Sequence, residues 1–150
     1  MQPRMANPIT VLPEAFKAML AVSKASSAVP GTILLLVHLR ASQINGCSVC
    51  VAMHSLELKS AGESDKRIFA VGAWREAPWF SEEERAALAL TEAVTRIADR
   101  SDPVPDDVWN EATRHFDEPT LAALVIQIGM INLWNRLNAA TRQVAGQWAA

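Results

Sequence analysis

Between Arg40 and His54 the chain reads RASQINGCSVCVAMH, and no other stretch constrains the fold as much. It holds both cysteines of the protein, spaced C-x-x-C, with a histidine four residues past the second. On a helix, side chains three and four positions apart stack on one face, so Cys47, Cys50 and His54 form a single stripe. Asn45 and Gly46 read as the break that lets a new helix begin at Cys47. A thiol in the first turn of a helix feels the positive end of its dipole, which favours thiolate. Two thiols and a base on one helical face make a redox site.

Two other readings fit the same residues. The cysteines could be a pair of small buried apolar side chains. They could also join His54 as three zinc ligands, but a closed structural zinc site needs four and usually a second ligand pair far along the chain. No second cysteine pair exists, and the remaining histidines are His38 and His115.

The rest of the chain favours helix over strand. Alanine and leucine dominate, tyrosine is absent, and nothing alternates apolar and polar residues with a period of two. A length of 150 residues suits one domain with a sizeable core. The net charge of -2 provides no electrostatic footprint for nucleic acid or anionic lipid. The longest apolar runs, Ile33 to Val37 and Leu121 to Ile126, are too short for a membrane span. The N-terminus lacks the apolar centre of a signal peptide, so a cytoplasmic protein is expected. In that compartment a C-x-x-C is more often redox-active than a structural staple.

Residues 1–12, with Pro3 and Pro8, are expected to form an extended arm, disordered or laid over a neighbouring subunit; residues 13–150 make the helical domain. Pro13 opens a helix from Glu14 to about Ser26. Thr32 caps a second, from Ile33 to about Ile44, apolar nearly all round at its start. The cysteine helix runs from about Cys47 to Ala61 and is closed by Gly62. A fourth goes from Ser64 or Asp65 to Trp74. Ser81-Glu82-Glu83-Glu84 is a capping box that opens a long helix to about Asp99. A short helix from Asp106 to Phe116 precedes the last, Leu121 to about Ala140. Several polar residues carry their own expectations. Arg40 holds a distant carboxylate, Gln43 and Asn45 bind backbone at the helix junction, and His38 is a satisfied interface residue. Glu92 is a solvated partner of Arg85 and Arg96. Asn132, Asn135, Arg136 and Asn138 satisfy buried backbone ends or bind carboxylates across an interface.

The run SQINGCSVCVAMH, followed by Lys59-Ser60-Ala61-Gly62-Glu63, resembles the alkylhydroperoxidase D (AhpD)-like branch of the carboxymuconolactone decarboxylase family. The likeness continues through Trp74-Arg75-Glu76-Ala77-Pro78, Glu84-Arg85-Ala86-Ala87-Leu88 and Ile131 to Asn138. The resemblance implies an all-α, single-domain helical bundle of about six or seven helices that assembles as a homo-oligomer, a trimer or a hexamer. It implies a thiol-dependent peroxidase that uses no metal and no organic cofactor, takes a hydroperoxide as substrate, and is recycled by an external dithiol or disulfide reductase. One part of the pattern fails. Many AhpD-like proteins carry a proton-relaying glutamate twelve residues before the first cysteine, where this chain has Leu35. Glu84 is the expected replacement, against the simpler role of closing its own capping box.

Which sulfur attacks peroxide is open from the residues alone. Helix position favours Cys47, whereas His54, one turn beyond Cys50, favours Cys50. The resemblance sides with Cys50 as the attacking thiol, Cys47 as the resolving one and His54 as base and proton relay. A general disulfide reductase, a non-enzymatic redox sensor and a carboxymuconolactone-type decarboxylase are the alternatives. Decarboxylases of that type generally lack the cysteine pair.

Overall fold

The computed structural model describes residues 2–147, and among them it contains helices and no strand. Proline and capping side chains set most of the boundaries. Asn7 caps a four-residue helix, α1 (Pro8–Val11), through its side chain and the Ile9 N–H. Pro13 begins α2 (Pro13–Ala25). The expected arm is therefore partly helical, and it lies on its own chain: the Arg4 N–H donates to the Thr141 carbonyl at 2.8 Å and Gln143 to the Met5 carbonyl at 3.1 Å.

Helix α3 (Gly31–Asn45) is the axis of the molecule, packed against α4, α6 and α8. It starts two residues earlier than the Thr32 cap suggests, with Pro30 as N-cap. Two of its faces feed two cores. Ile33 and Val37, at helical spacing, meet Leu90, Leu124 and Ile128. Leu36 and Leu39 meet Leu58, Val71, Trp74 and Leu88. Fully burying each such aliphatic side chain contributes about 1.5–3 kcal/mol, so this helix is fixed from both sides.

Helix α4 (Ser48–Ser60) ends at Ala61, and Gly62 then takes the left-handed conformation at φ +93°. The fourth expected helix divides into α5 (Asp65–Ala70) and a 3-10 turn, Val71–Ala73. The capping box at Ser81 forms in full and opens α6 (Glu82–Thr95); a 3-10 turn, Ile97–Asp99, replaces its expected last turn. Helix α7 (Asp106–His115) leads to α8 (Glu118–Thr141), capped by Asp117. Among the described residues no helix is long and apolar enough to cross a membrane.

Candidate active site

The site is built on the turn between α3 and α4. Gly46, at φ +66°, ends α3 in the left-handed conformation that a side chain would resist. The turn is closed by the Cys47 N–H donating to the Ser42 carbonyl at 3.0 Å. Cys47 is thus not the first helical residue but the extended N-cap of α4. Its sulfur accepts from the Cys50 N–H at 3.4 Å, the position a serine oxygen occupies in an ordinary cap. This places Cys50 in the first turn beside Cys47, and His54 one turn further along the same face. Both sulfurs are free thiols and both are buried.

The two thiols are strongly unlike. Cys50 is drawn down from 9.0 to about 6, first by the hydrogen bond from Cys47, against the opposing effect of burial, and further by Asn138, Asn135 and Ser42. The Asn138 amide donates to the Cys50 sulfur at 3.4 Å. Cys47 is pushed up, chiefly because it is the proton donor to Cys50 and also by burial. The dipole argument for Cys47 as the more acidic thiol fails here because donating to Cys50, together with burial, raises it by more than the Cys50 N–H at its sulfur lowers it.

His54 donates from Nδ1 to the Glu57 carboxylate at 2.7 Å, which leaves Nε2 as the basic nitrogen. Burial lowers its pKa, against the raising effect of Glu57. Its Nε2 is buried and has no hydrogen-bond partner among the described residues, Cys50 included. The histidine therefore shares a face with the thiol without touching it through a hydrogen bond. His38, from α3, stands with its ring centroid 4.9 Å from that of His54. It is not satisfied as expected: its Nε2 is also buried without a partner among the described residues. Burial, then the neighbouring His54, lowers its pKa to about 3.

Cys50, His54 and His38 open on a cavity of about 240 Å³. Its other walls are Ile9, Phe16 and Leu20 from the N-terminal helices, Met53, and Ile131, Trp134 and Asn138 from α8. Cys47 lies on a different cavity, shared with Ser48, Asn138, Arg142 and Gln143. One thiol faces an apolar chamber and the other a cleft of mixed lining that includes Arg142 and Gln143.

The asparagines of α8 hold this arrangement. Asn45 donates to the side-chain oxygens of Asn132 and Asn135, both at 2.9 Å, instead of binding backbone. Asn135 donates to Ser42 at 3.0 Å, and Asn132 to Thr95 at 3.1 Å. Gln43 accepts from Arg40 at 3.4 Å rather than from backbone.

Glu84 is not brought to the thiols. Its carboxylate accepts from the Ser81 N–H at 2.8 Å and from Arg67 at 2.6 Å, and it does not line the Cys50 cavity. The carboxylate that reaches the site is Glu57, which its i, i+3 spacing from His54 could have revealed. Leu35 packs against the Leu36–Leu58 core. Glu92 is buried rather than solvated, accepting from Arg40 at 2.7 Å, from the Trp74 indole at 2.9 Å and from Arg75. It is the distant carboxylate expected for Arg40. Burial pushes Glu92 up, but these three donors outweigh it and leave its pKa lowered. Among the described residues no three His, Cys, Asp or Glu side chains are grouped to hold a metal ion.

Comparison with known proteins gives the family and the fold. The carboxymuconolactone decarboxylase family model matches residues 12–93, more than half of the chain. The chain belongs to that family. It is 37% identical over 132 residues to the uncharacterized protein YdfG of Bacillus subtilis (strain 168), covering 87% of this chain and 88% of that one. A crystal structure from Agrobacterium tumefaciens, described as a protein of unknown function and a candidate antioxidant defence protein AhpD, superposes with a TM-score of 0.88. It shares 36% identity and covers 98% of this chain and 100% of its own. An uncharacterized peroxidase-related protein with an AhpD core from Ralstonia eutropha JMP134 has a TM-score of 0.79 over 97% of this chain and 77% of its own. At 16% identity that likeness shows the fold alone. The all-helical AhpD-like architecture is shared by this chain and the two solved structures.

Proposed function

We propose that the protein is a thiol-dependent peroxidase that reduces organic hydroperoxides. The observation that carries this reading is the asymmetry of the dithiol: a low-pKa Cys50 opening on an apolar cavity beside a histidine whose Nε2 has no partner among the described residues, backed by a protonated Cys47. Cys50 thiolate attacks the terminal peroxide oxygen. An S–O bond forms, the O–O bond breaks, and the alkoxide leaves with the electron pair. That alkoxide takes up the proton released by Cys50, carried by Nε2 of His54. Cys47 then condenses with the Cys50 sulfenic acid, forming a disulfide and water. An external dithiol restores both thiols by exchange, leaving as its own disulfide. Its approach is through the cleft beside Arg142 and Gln143, because that is where Cys47 lies.

Two features favour peroxide over a general disulfide substrate. Cys50 is about 1% exposed, and its cavity is too small for a protein disulfide. Apolar side chains left exposed on the N-terminal helices, Val11, Leu12, Leu20 and Val22, support assembly as a homo-oligomer. The test is turnover with an organic hydroperoxide and a dithiol reductant. Consumption that stops in both Cys47→Ser and Cys50→Ser supports the reading. Disulfide turnover without peroxide consumption assigns a reductase instead, and thiol oxidation without turnover assigns a sensor.

A further inference from the structure

The cavity holds a second imidazole that the steps above do not use. His38 offers one buried nitrogen with no partner among the described residues, and burying such an atom is costly unless a ligand satisfies it. Which form the ring takes follows from its neighbour Gln127. The Gln127 amide nitrogen is fully engaged, donating to the Ser23 carbonyl at 2.8 Å and to the Ser26 hydroxyl and carbonyl at 2.9 and 3.1 Å. Gln127 neighbours the His38 ring, and with its nitrogen so occupied the group it can turn to that ring is its carbonyl oxygen. That oxygen can only accept, so it selects the tautomer with a proton on Nδ1. Nε2 of His38 is then a bare, buried lone pair on a ring that lines the chamber holding Cys50 and His54.

We propose that His38 is a substrate-binding residue whose Nε2 accepts the hydrogen bond of a hydroperoxide O–H, holding the terminal oxygen against Cys50. This rests on the peroxidase reading above. A hydroperoxide carries one O–H donor and one leaving oxygen, and the cavity presents a fixed acceptor at His38 and a proton carrier at His54. During attack the Cys50 sulfur bonds the terminal oxygen, the O–O bond breaks, and RO⁻ leaves with the electron pair and takes the proton from His54. The hydrogen bonded to His38 stays on the terminal oxygen and becomes the hydrogen of Cys50–SOH. The sum is Cys50–SH + ROOH → Cys50–SOH + ROH, with sulfur oxidised and peroxide reduced, and His38 never changes protonation. A dialkyl peroxide or a disulfide has no donor to offer and leaves Nε2 unpaired in an apolar chamber, so the same residue selects hydroperoxides.

The experiment compares two reactions of Cys50 in wild type, His38→Phe and His38→Gln. One is oxidation by cumene hydroperoxide; the other is alkylation by iodoacetamide, which needs the thiolate but no acceptor. In His38→Phe, oxidation slows by roughly 10-fold or more, the worth of one hydrogen bond plus its lost orientation, and alkylation changes by less than about two-fold. His38→Gln, which keeps an acceptor oxygen, falls between. Equal loss of both reactions makes His38 merely structural, and an unchanged oxidation rate overturns the proposal while leaving the peroxidase reading intact. Wild-type Cys50 that alkylates but does not react with hydroperoxide removes the peroxidase reading and this proposal with it. Nitrogen-15 spectra of the wild-type histidines give an independent check: His38 shows a protonated Nδ1 and a bare Nε2, and the opposite tautomer refutes the assignment.

Discussion

Removing the Asn138 amide isolates one hydrogen bond to the reactive sulfur. That amide donates to Cys50 at 3.4 Å from a helix more than eighty residues away, and it is buried at 6% exposure. A hydrogen bond to a charged acceptor contributes about 1.5–3 kcal/mol, and sulfur at this distance belongs at the low end. One pKa unit corresponds to about 1.4 kcal/mol. Asn138→Ala is therefore expected to raise Cys50 from about 6 to about 7. At pH 7 the thiolate share then drops from about nine-tenths to about half. The assay is the pH dependence of alkylation rate or of thiolate ultraviolet absorbance. Because Cys47 is held protonated well above neutral pH, a single wave in the neutral range reports Cys50 alone. A midpoint that stays in place, or moves down, would falsify the view that α8 sets the acidity of this thiol.

Two further outcomes concern stability. Glu92→Gln leaves the Arg40 guanidinium, whose side chain is 14% exposed, without its counter-charge; breaking a buried pair costs about 3–5 kcal/mol, and this partly exposed one belongs at the low end. The urea midpoint should fall accordingly, and an unchanged midpoint would mean that Arg40 is satisfied elsewhere. His38 is kept neutral in the fold down to about pH 3, whereas in the unfolded chain it takes up a proton near 6.5. In that window the unfolded state binds more protons, so stability falls as pH drops through it. Melting at about pH 4.5 is expected to lie below melting at neutral pH, and His38→Phe should narrow the gap; an equal gap contradicts the assignment.

What the sequence made legible was whatever depends on local chemistry. The C-x-x-C-x-x-x-H stripe, the Ser81 capping box and the Gly62 terminus all stand where spacing and capping rules put them. Pairings across the fold were not legible. Glu84 and Glu92 look alike on one helix, and both are buried. Glu84 closes its own cap and meets Arg67, while Glu92 meets Arg40 from α3. Nothing local says which arginine each will reach. The same holds for His38, whose role depends on α8 presenting Gln127 to it and α4 presenting His54. Asn138 gave a partial signal, since a polar residue on so apolar a helix needs a reason; its partner proved to be a thiol. The dipole alone points to Cys47, whereas the hydrogen bond Cys47 donates to Cys50, which no spacing rule reveals, makes Cys50 the more acidic thiol.

The central claim is that Cys50, and not Cys47, meets the peroxide. Treating Cys47→Ser with one equivalent of cumene hydroperoxide in the presence of a sulfenic-acid trap, followed by peptide mass spectrometry, tests it directly. The trap is expected on Cys50 of that variant, with wild type yielding a Cys47–Cys50 disulfide instead. A trapped sulfenic acid on Cys47 of Cys50→Ser, formed as fast as on Cys50 of Cys47→Ser, would contradict the account.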